Sequence, residues 1–229
     1  GSLMVTVVRL KVDEQWHVYW TNPGASGMPT TAEMILPEGW DHVGLLHPTP
    51  KKFKTGELHG FGHEGVVDYL LFLMVPDDFD GSAELQAKLS WLSCNDDACI
   101  PGDVTLKLTL ADGEIEGAQP NDAAVNAAMK SMPLKQREGV GLSLKDGKDH
   151  WLLELTRADM LELDPAQATL FIATPELVDP AAELKFEKVG ERWLAKCPKG
   201  EYAPQKPTEC TILLVQEGKR AEYVSWEAK

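Results

Sequence analysis

Four cysteines, in two pairs, are the residues of this sequence best placed to do covalent chemistry. Cys94 and Cys99 enclose only Asn95-Asp96-Asp97-Ala98, inside the stretch SWLSCNDDACIPGDVTLKL (90–108). Cys197 and Cys210 flank a polar, Pro-rich segment, PKGEYAPQKPTE, in the second half of the chain. A sulfur pair can close a structural disulfide, help to hold a metal, or exchange electrons through a reversible S–S bond. Which of these applies depends on the elements that carry the sulfurs.

For the first pair the elements are legible. An alternating segment, AELQAKLSWL (83–92), runs into Cys94, and Cys99 leads through Ile100-Pro101-Gly102 into a second one, DVTLKLTL (103–110). Alternation at period two predicts strands. If the two form a hairpin, the cysteines face each other with Cα atoms about 4.5–5.5 Å apart, a separation that a disulfide bridges. Closing so short a loop removes little chain entropy, so the bond would be a weak staple. A bond that stabilises little and sits near a loop tip is easy to reach and reduce, as a redox-active pair requires. Asp96 and Asp97 lie within the loop and disfavour thiolate formation, making the pair less reactive than a CxxC cysteine at a helix N-terminus.

A zinc site would need further ligands, for which His47, His59 and His63 are the candidates. His59 and His63 are four apart, a helical spacing, but GELHGFGHEG is too Gly-rich for a helix, and these histidines read as solvated loop positions. No metal site is expected. A Cys/His dyad for acyl transfer is disfavoured because the cysteines come as a close pair rather than as a lone nucleophile. A permanently bonded module that only docks a partner, and a copper- or metal-handling protein, stay open as alternatives.

Further alternating segments precede the pair: VTVVRLKV (5–12), WHVYW (16–20), TAEMIL (31–36) and VVDYLLFLMV (66–75). Turn signals such as NPGASGMP, LPEGW and PDDFDG separate them, and no amphipathic helix intervenes, which favours antiparallel sandwiches over a parallel α/β sheet. Trp16, Trp20 and Trp91 read as sandwich core. From Pro120, PNDAAVNAAMKSM predicts a short linker helix that ends before Pro133. After Gly139 the strand pattern resumes in GLSLK, HWLLELT, ATLFIAT, LKFEKV, RWLAK, CTILLVQ and AEYVSW. Cys197 and Cys210 are expected as a structural disulfide, worth roughly 2–3 kcal/mol from the loop it closes, with a second redox pair as the alternative.

The chain has 229 residues, with 22 Lys+Arg against 36 Asp+Glu and a formal net charge of -14. That balance argues against nucleic acid and anionic membrane surfaces as partners. No apolar run is long enough to span a bilayer, and no basic leader precedes an apolar one. The opening Gly1-Ser2 has the look of an expression remnant, and the expectation is a soluble piece of a longer secreted or membrane-anchored protein.

WHVYWTNPGASGMP (16–29), LPEGW (36–40), HPTPKKF (47–53), GFGHEGVV (60–67) and WLSCNDDACIPG (91–102) together resemble the N-terminal periplasmic region of the thiol:disulfide interchange protein DsbD family, closest to its larger ScsB-type members. The resemblance covers about residues 4–110 and extends more weakly beyond. It implies an immunoglobulin-like redox domain followed by a second β-domain. The expected fold is therefore all-β, with two immunoglobulin-like β-sandwich domains, 1–118 and 139–229, joined by a helical linker at 119–138. The resemblance also implies a periplasmic module, the soluble part of an inner-membrane protein. Such a module takes electrons from a membrane-embedded domain and a thioredoxin-like domain of the same system and passes them to periplasmic disulfide isomerase-like proteins, with no cofactor beyond its own sulfurs. By position, Cys99 is the nucleophile that forms the mixed disulfide and Cys94 the resolving thiol. Phe53 is the candidate aromatic cap over the pair. Lys51 and Lys52 stand where better-known members carry acidic residues. Tyr19, Asp96 and Asp97 would line the same site.

Overall fold

The computed structural model describes residues 2–79, 81–111, 114–116 and 121–228. The described chain is nearly all β, in antiparallel sheets of immunoglobulin-like sandwich type, with a single α-helix among the described residues. It forms two compact units. The first comprises Gly1–Trp20, Met28–Pro50 and Gly62–Ser131, and the second comprises Thr21–Gly27, Lys51–Phe61 and Met132–Lys229. No described helix is long and apolar enough to cross a membrane.

The strands of the first half are β1 (Ser2–Lys11), β2 (His17–Gly24), β3 (Thr31–Ile35), β4 (Asp41–Leu46), β5 (Lys51–Thr55) and β6 (Leu58–His63). They continue with β7 (Val66–Val75), β8 (Ala83–Cys94), β9 (Cys99–Ala111) and β10 (Glu114–Glu116). In the first unit β7 lies between β1 and β4. In the facing sheet β8 pairs with β9 along its whole length, from Ala83↔Leu110 to Cys94↔Cys99. The other edge of β8 is shared, with β3 taking Gln86 to Ser90 and β2 taking Ser93 and Cys94. Val67, Tyr69 and Leu71 of β7 and Ala87 and Leu89 of β8 recur at period two and meet in one core with Val8 and Val18, so alternation in sequence becomes a buried face.

Helix α1 (Asp122–Ser131), expected as a short linker helix, belongs to the first unit, where it lies against β1 and β7 and buries Ala128. Asn121 caps it, its Oδ1 accepting the Ala124 N–H at 3.0 Å. Pro120 as the expected helix start, and the expected boundary after residue 118, lie outside the described residues.

Four strands were not anticipated: β4, β5, β6 and the short β10. Gly60 shows why β6 escapes a pattern reading. A Cβ there would meet the Phe53 ring at 2.5 Å, so a glycine that reads as a strand breaker is required for the close approach of the side chain from β5.

The second unit contains β11 (Gly141–Asp146), β12 (His150–Thr156), β13 (Thr169–Ile172) and β14 (Glu187–Val189). It continues with β15 (Arg192–Pro198), β16 (Glu209–Val215) and β17 (Glu222–Glu227). One sheet runs β11-β12-β15-β14 and the other β13-β16-β17, and Trp151, Leu153, Leu155, Ile212 and Leu214 fill the core between them. Asn22 and Phe61 belong to this unit by direct contact. The Asn22 Nδ2 donates to the Ile172 carbonyl at 2.8 Å, and Phe61 meets Phe171 edge-on at 5.5 Å between centroids. Glu222 is wholly buried, with its carboxylate accepting from Arg137 Nε at 2.6 Å and from the Glu162 N–H at 2.7 Å. Such a charge is tolerable inside only because both oxygens are engaged.

Candidate functional site

The β8–β9 hairpin ends in the Asn95-Asp96-Asp97-Ala98 loop, which Asn95 shapes from within. Its Oδ1 accepts the N–H groups of Asp97 at 2.9 Å and Ala98 at 2.8 Å, and its own N–H donates to the Ala98 carbonyl at 2.9 Å. This is the local side-chain-to-backbone bonding that makes asparagine a turn former. The turn leaves Cys94 and Cys99 as the last directly opposed pair of the ladder, with Cα atoms 4.1 Å apart and a disulfide between them.

The two sulfur-bearing residues have unequal surroundings. Cys94 is 0% exposed, whereas Cys99 lies at the surface beside the exposed Ile100. Asp96 and Asp97 are exposed in the loop. The hairpin below is tightly built, because Gly102 pairs with Trp91 and a Cβ at that glycine would meet the indole ring at 2.5 Å.

Cys94 has a second neighbour that motif reading overlooked. His17 is its register partner on β2 and is only 6% exposed. Directly opposed residues of an antiparallel pair project from the same face. Val18, the next residue, turns the other way into the sandwich core, and Tyr19 returns to the His17 side, its hydroxyl 3.3 Å from His17 Nε2. Tyr19 therefore shares a face of β2 with His17. Burial lowers the His17 imidazole below its usual range, opposed by the carboxylates of Glu64 and Asp96. The signal for His17 was present in the alternation of WHVYW, but only the β2–β8 register shows which cysteine it faces.

Phe53 sits on β5 in the second unit, its ring over Gly60. His47 and His63 are buried in the first unit, each 6% exposed, which corrects the expectation of solvated loop positions. They pack around Tyr69, with ring centroids at 5.0 and 6.2 Å. His47 Nε2 bonds the Thr30 carbonyl at 2.9 Å and its Nδ1 has no partner among the described residues. Desolvation lowers the His47 imidazole to about 4. Among the described residues no three His, Cys, Asp or Glu side chains converge as a metal site.

Cys197 and Cys210, expected as a disulfide, are two free, buried thiols in this structure. They belong to β15 and β16, strands of different sheets, and both sit in the core of the second unit. Desolvation pushes each thiol up to about 12, Cys210 further influenced by Cys197 and Glu209. The loop between them predicted a closure that the two sheets do not make.

Comparisons with known proteins agree with this geometry. The chain has the fold of the N-terminal periplasmic domain of ScsB from Proteus mirabilis, with a TM-score of 0.70 and 17% identity, over 98% of this chain and 87% of that one. No curated protein sequence matches the chain. Residues 4–111, which contain the disulfide hairpin and its β2 partner strand, match the family described as thiol:disulfide interchange protein DsbD, N-terminal. Over those residues the sequence is similar to the N-terminal region of the thiol:disulfide interchange protein DsbD family.

Proposed function

We propose that the chain is a periplasmic electron-relay module that passes reducing equivalents from a membrane-embedded reductase to thioredoxin-fold partners through the Cys94–Cys99 pair. The observation that carries this reading is the unequal burial of a directly opposed pair: a partner can reach Cys99, while Cys94 is held behind it.

The chemistry is two successive thiol–disulfide exchanges. In the reduced module the Cys99 thiolate attacks one sulfur of the partner disulfide. A Cys99–partner bond forms, the partner S–S bond breaks, and the other partner sulfur leaves as a thiolate that takes up a proton. Cys94 then attacks the Cys99 sulfur. The intramolecular bond forms, the mixed disulfide breaks, and the second partner sulfur departs with its electron pair and a proton. Two electrons and two protons have moved, and no cofactor enters. A thioredoxin-like domain of the same system restores the dithiol by the reverse sequence. Tyr19 and Asp96 border the cysteines in this reading, and Asp97 completes the loop a partner meets.

The test is the reduction potential of the pair, obtained by equilibrating the folded protein in defined thiol/disulfide buffers and mapping alkylated thiols by mass spectrometry. A value of about -200 to -270 mV supports relay, and a bond that stays oxidised below about -300 mV marks a structural staple and removes the proposal. A Cys94→Ser variant then accumulates mixed disulfides through Cys99 with its physiological partners.

A further inference from the structure

Resolution of the mixed disulfide makes a demand on Cys94 that its surroundings oppose. The attacking species is the thiolate, yet Cys94 has no exposed surface from which water could remove its proton. Burial of a thiol in apolar surroundings favours the protonated form. A nucleophile so placed needs a base within its own site.

The group in place is His17. It stands directly across the ladder from Cys94, on the same face and also buried. Opposed side chains of this kind have Cβ atoms about 4.5–5.5 Å apart, within which an imidazole can reach a cross-strand sulfur. Its position is held at both ends. The Ser93 hydroxyl donates to the His17 carbonyl at 3.4 Å, and the Tyr19 hydroxyl meets Nε2 at 3.3 Å. The charged groups acting on the ring are Glu64, from the turn after β6, and Asp96, from the cysteine loop. Both carboxylates favour an imidazolium, so they would stabilise the proton once transferred, while burial keeps the resting ring neutral and able to accept it.

We propose that His17 is the proton acceptor for Cys94: with Cys99 held in the mixed disulfide, the imidazole takes the Cys94 proton and releases the thiolate that resolves it. The imidazolium then returns that proton to the departing partner sulfur, so histidine ends each turnover as it began. This inference rests on the assignment of Cys94 as resolving thiol, and it adds the group that makes the second exchange fast.

The experiment uses the full chain, fully reduced, with oxidised glutathione as the disulfide probe. Rapid acid quench and mass spectrometry follow two steps separately between pH 5.5 and 9: formation of the Cys99–glutathione mixed disulfide, and its resolution with release of the second glutathione. In the wild type, resolution slows as the pH falls and the imidazole becomes protonated. In His17→Gln, which keeps a polar side chain beside Tyr19, the ratio of the resolution rate to the first-step rate falls at least tenfold at pH 7. The acid inflection also disappears, and the rate follows hydroxide alone. Circular dichroism and thermal melting of His17→Gln and of a second variant, His17→Phe, establish that the fold is kept. A folded variant with the wild-type ratio and pH profile overturns the role of His17, and so does one that slows both steps equally. A wild-type protein that forms no mixed disulfide at all removes the relay reading itself, an outcome distinct from either of those.

Discussion

Cys94 and Cys99 stand opposite each other at the end of one hairpin and are bonded, whereas Cys197 and Cys210 are carried by strands of different sheets and are two free thiols in a core. In the first pair one residue is buried and the other exposed, and in the second both are buried. The difference teaches that pairing in sequence does not set redox chemistry. A reversible disulfide needs a partner-facing sulfur and a resolving sulfur within bonding reach behind it. The hairpin places one sulfur at the surface and one behind it, while both sulfurs of the second pair are buried in the core.

The largest contrast is expected between loss of Cys99 and loss of both buried thiols. Cys99→Ser should abolish reduction of a partner disulfide, and the double substitution Cys197→Ala with Cys210→Ala should leave the rate within about twofold while costing about 1–2 kcal/mol of stability from the small core voids. Insulin reduction and urea denaturation would read the two effects. Equal loss of activity from both changes would make the second pair part of the relay.

Reactivity should separate the pairs next. A thiol pushed up to about 12, as Cys197 and Cys210 are, is thiolate at pH 8 in about one part in ten thousand, against roughly a quarter for an ordinary thiol. Iodoacetamide should therefore modify Cys99 of the reduced, folded protein about three orders of magnitude faster than Cys197 or Cys210. Peptide mapping over time measures it.

The two units should also differ in the sign of their pH sensitivity. His47 in the first unit is held neutral at about 4, below its unfolded value of about 6.5, so the unfolded chain binds the extra proton first. Stability from this group is complete above pH 6.5 and is lost as the pH falls toward 4, by about 3 kcal/mol in all. His47→Phe should flatten that acid limb in urea titrations. The raised thiols of the second unit act in the opposite sense: they stabilise the fold below about pH 9 and lose that contribution as the pH rises toward 12. An alkaline limb unchanged in the Cys197→Ala, Cys210→Ala protein would contradict this.

A smaller effect is expected at the base of the redox hairpin. Gly102→Ala places a methyl 2.5 Å from the Trp91 ring and should destabilise the first unit by about 1–3 kcal/mol. The disulfide should still form, since the Asn95 turn and the Cys94↔Cys99 register lie beyond the clash. Thermal melting with thiol counting distinguishes the two.

Local spacing in the sequence was enough to place the hairpin. Alternating residues on both sides of a four-residue, Asn-led loop leave two cysteines no arrangement but opposition, because ladder register in a short hairpin follows from loop length. The same period-two pattern foretold β1, β7, β8, β9 and the strands of the second unit, and the motifs around Cys94 carried the family resemblance. Tertiary structure alone decided the rest. Glycines hid β6, although one of them, Gly60, leaves room for the Phe53 ring of β5 to lie against the strand. His47 and His63 looked solvated because burial depends on Tyr69 and Thr30, residues brought near by folding. The Cys197–Cys210 loop suggested closure, but its two ends are free thiols on strands of different sheets, buried in the core. His17 met Cys94 only because β2 joins the edge of β8 at its last two residues. Neighbours along a chain are set by covalent geometry. Burial and long-range register are set by which distant strands share a core.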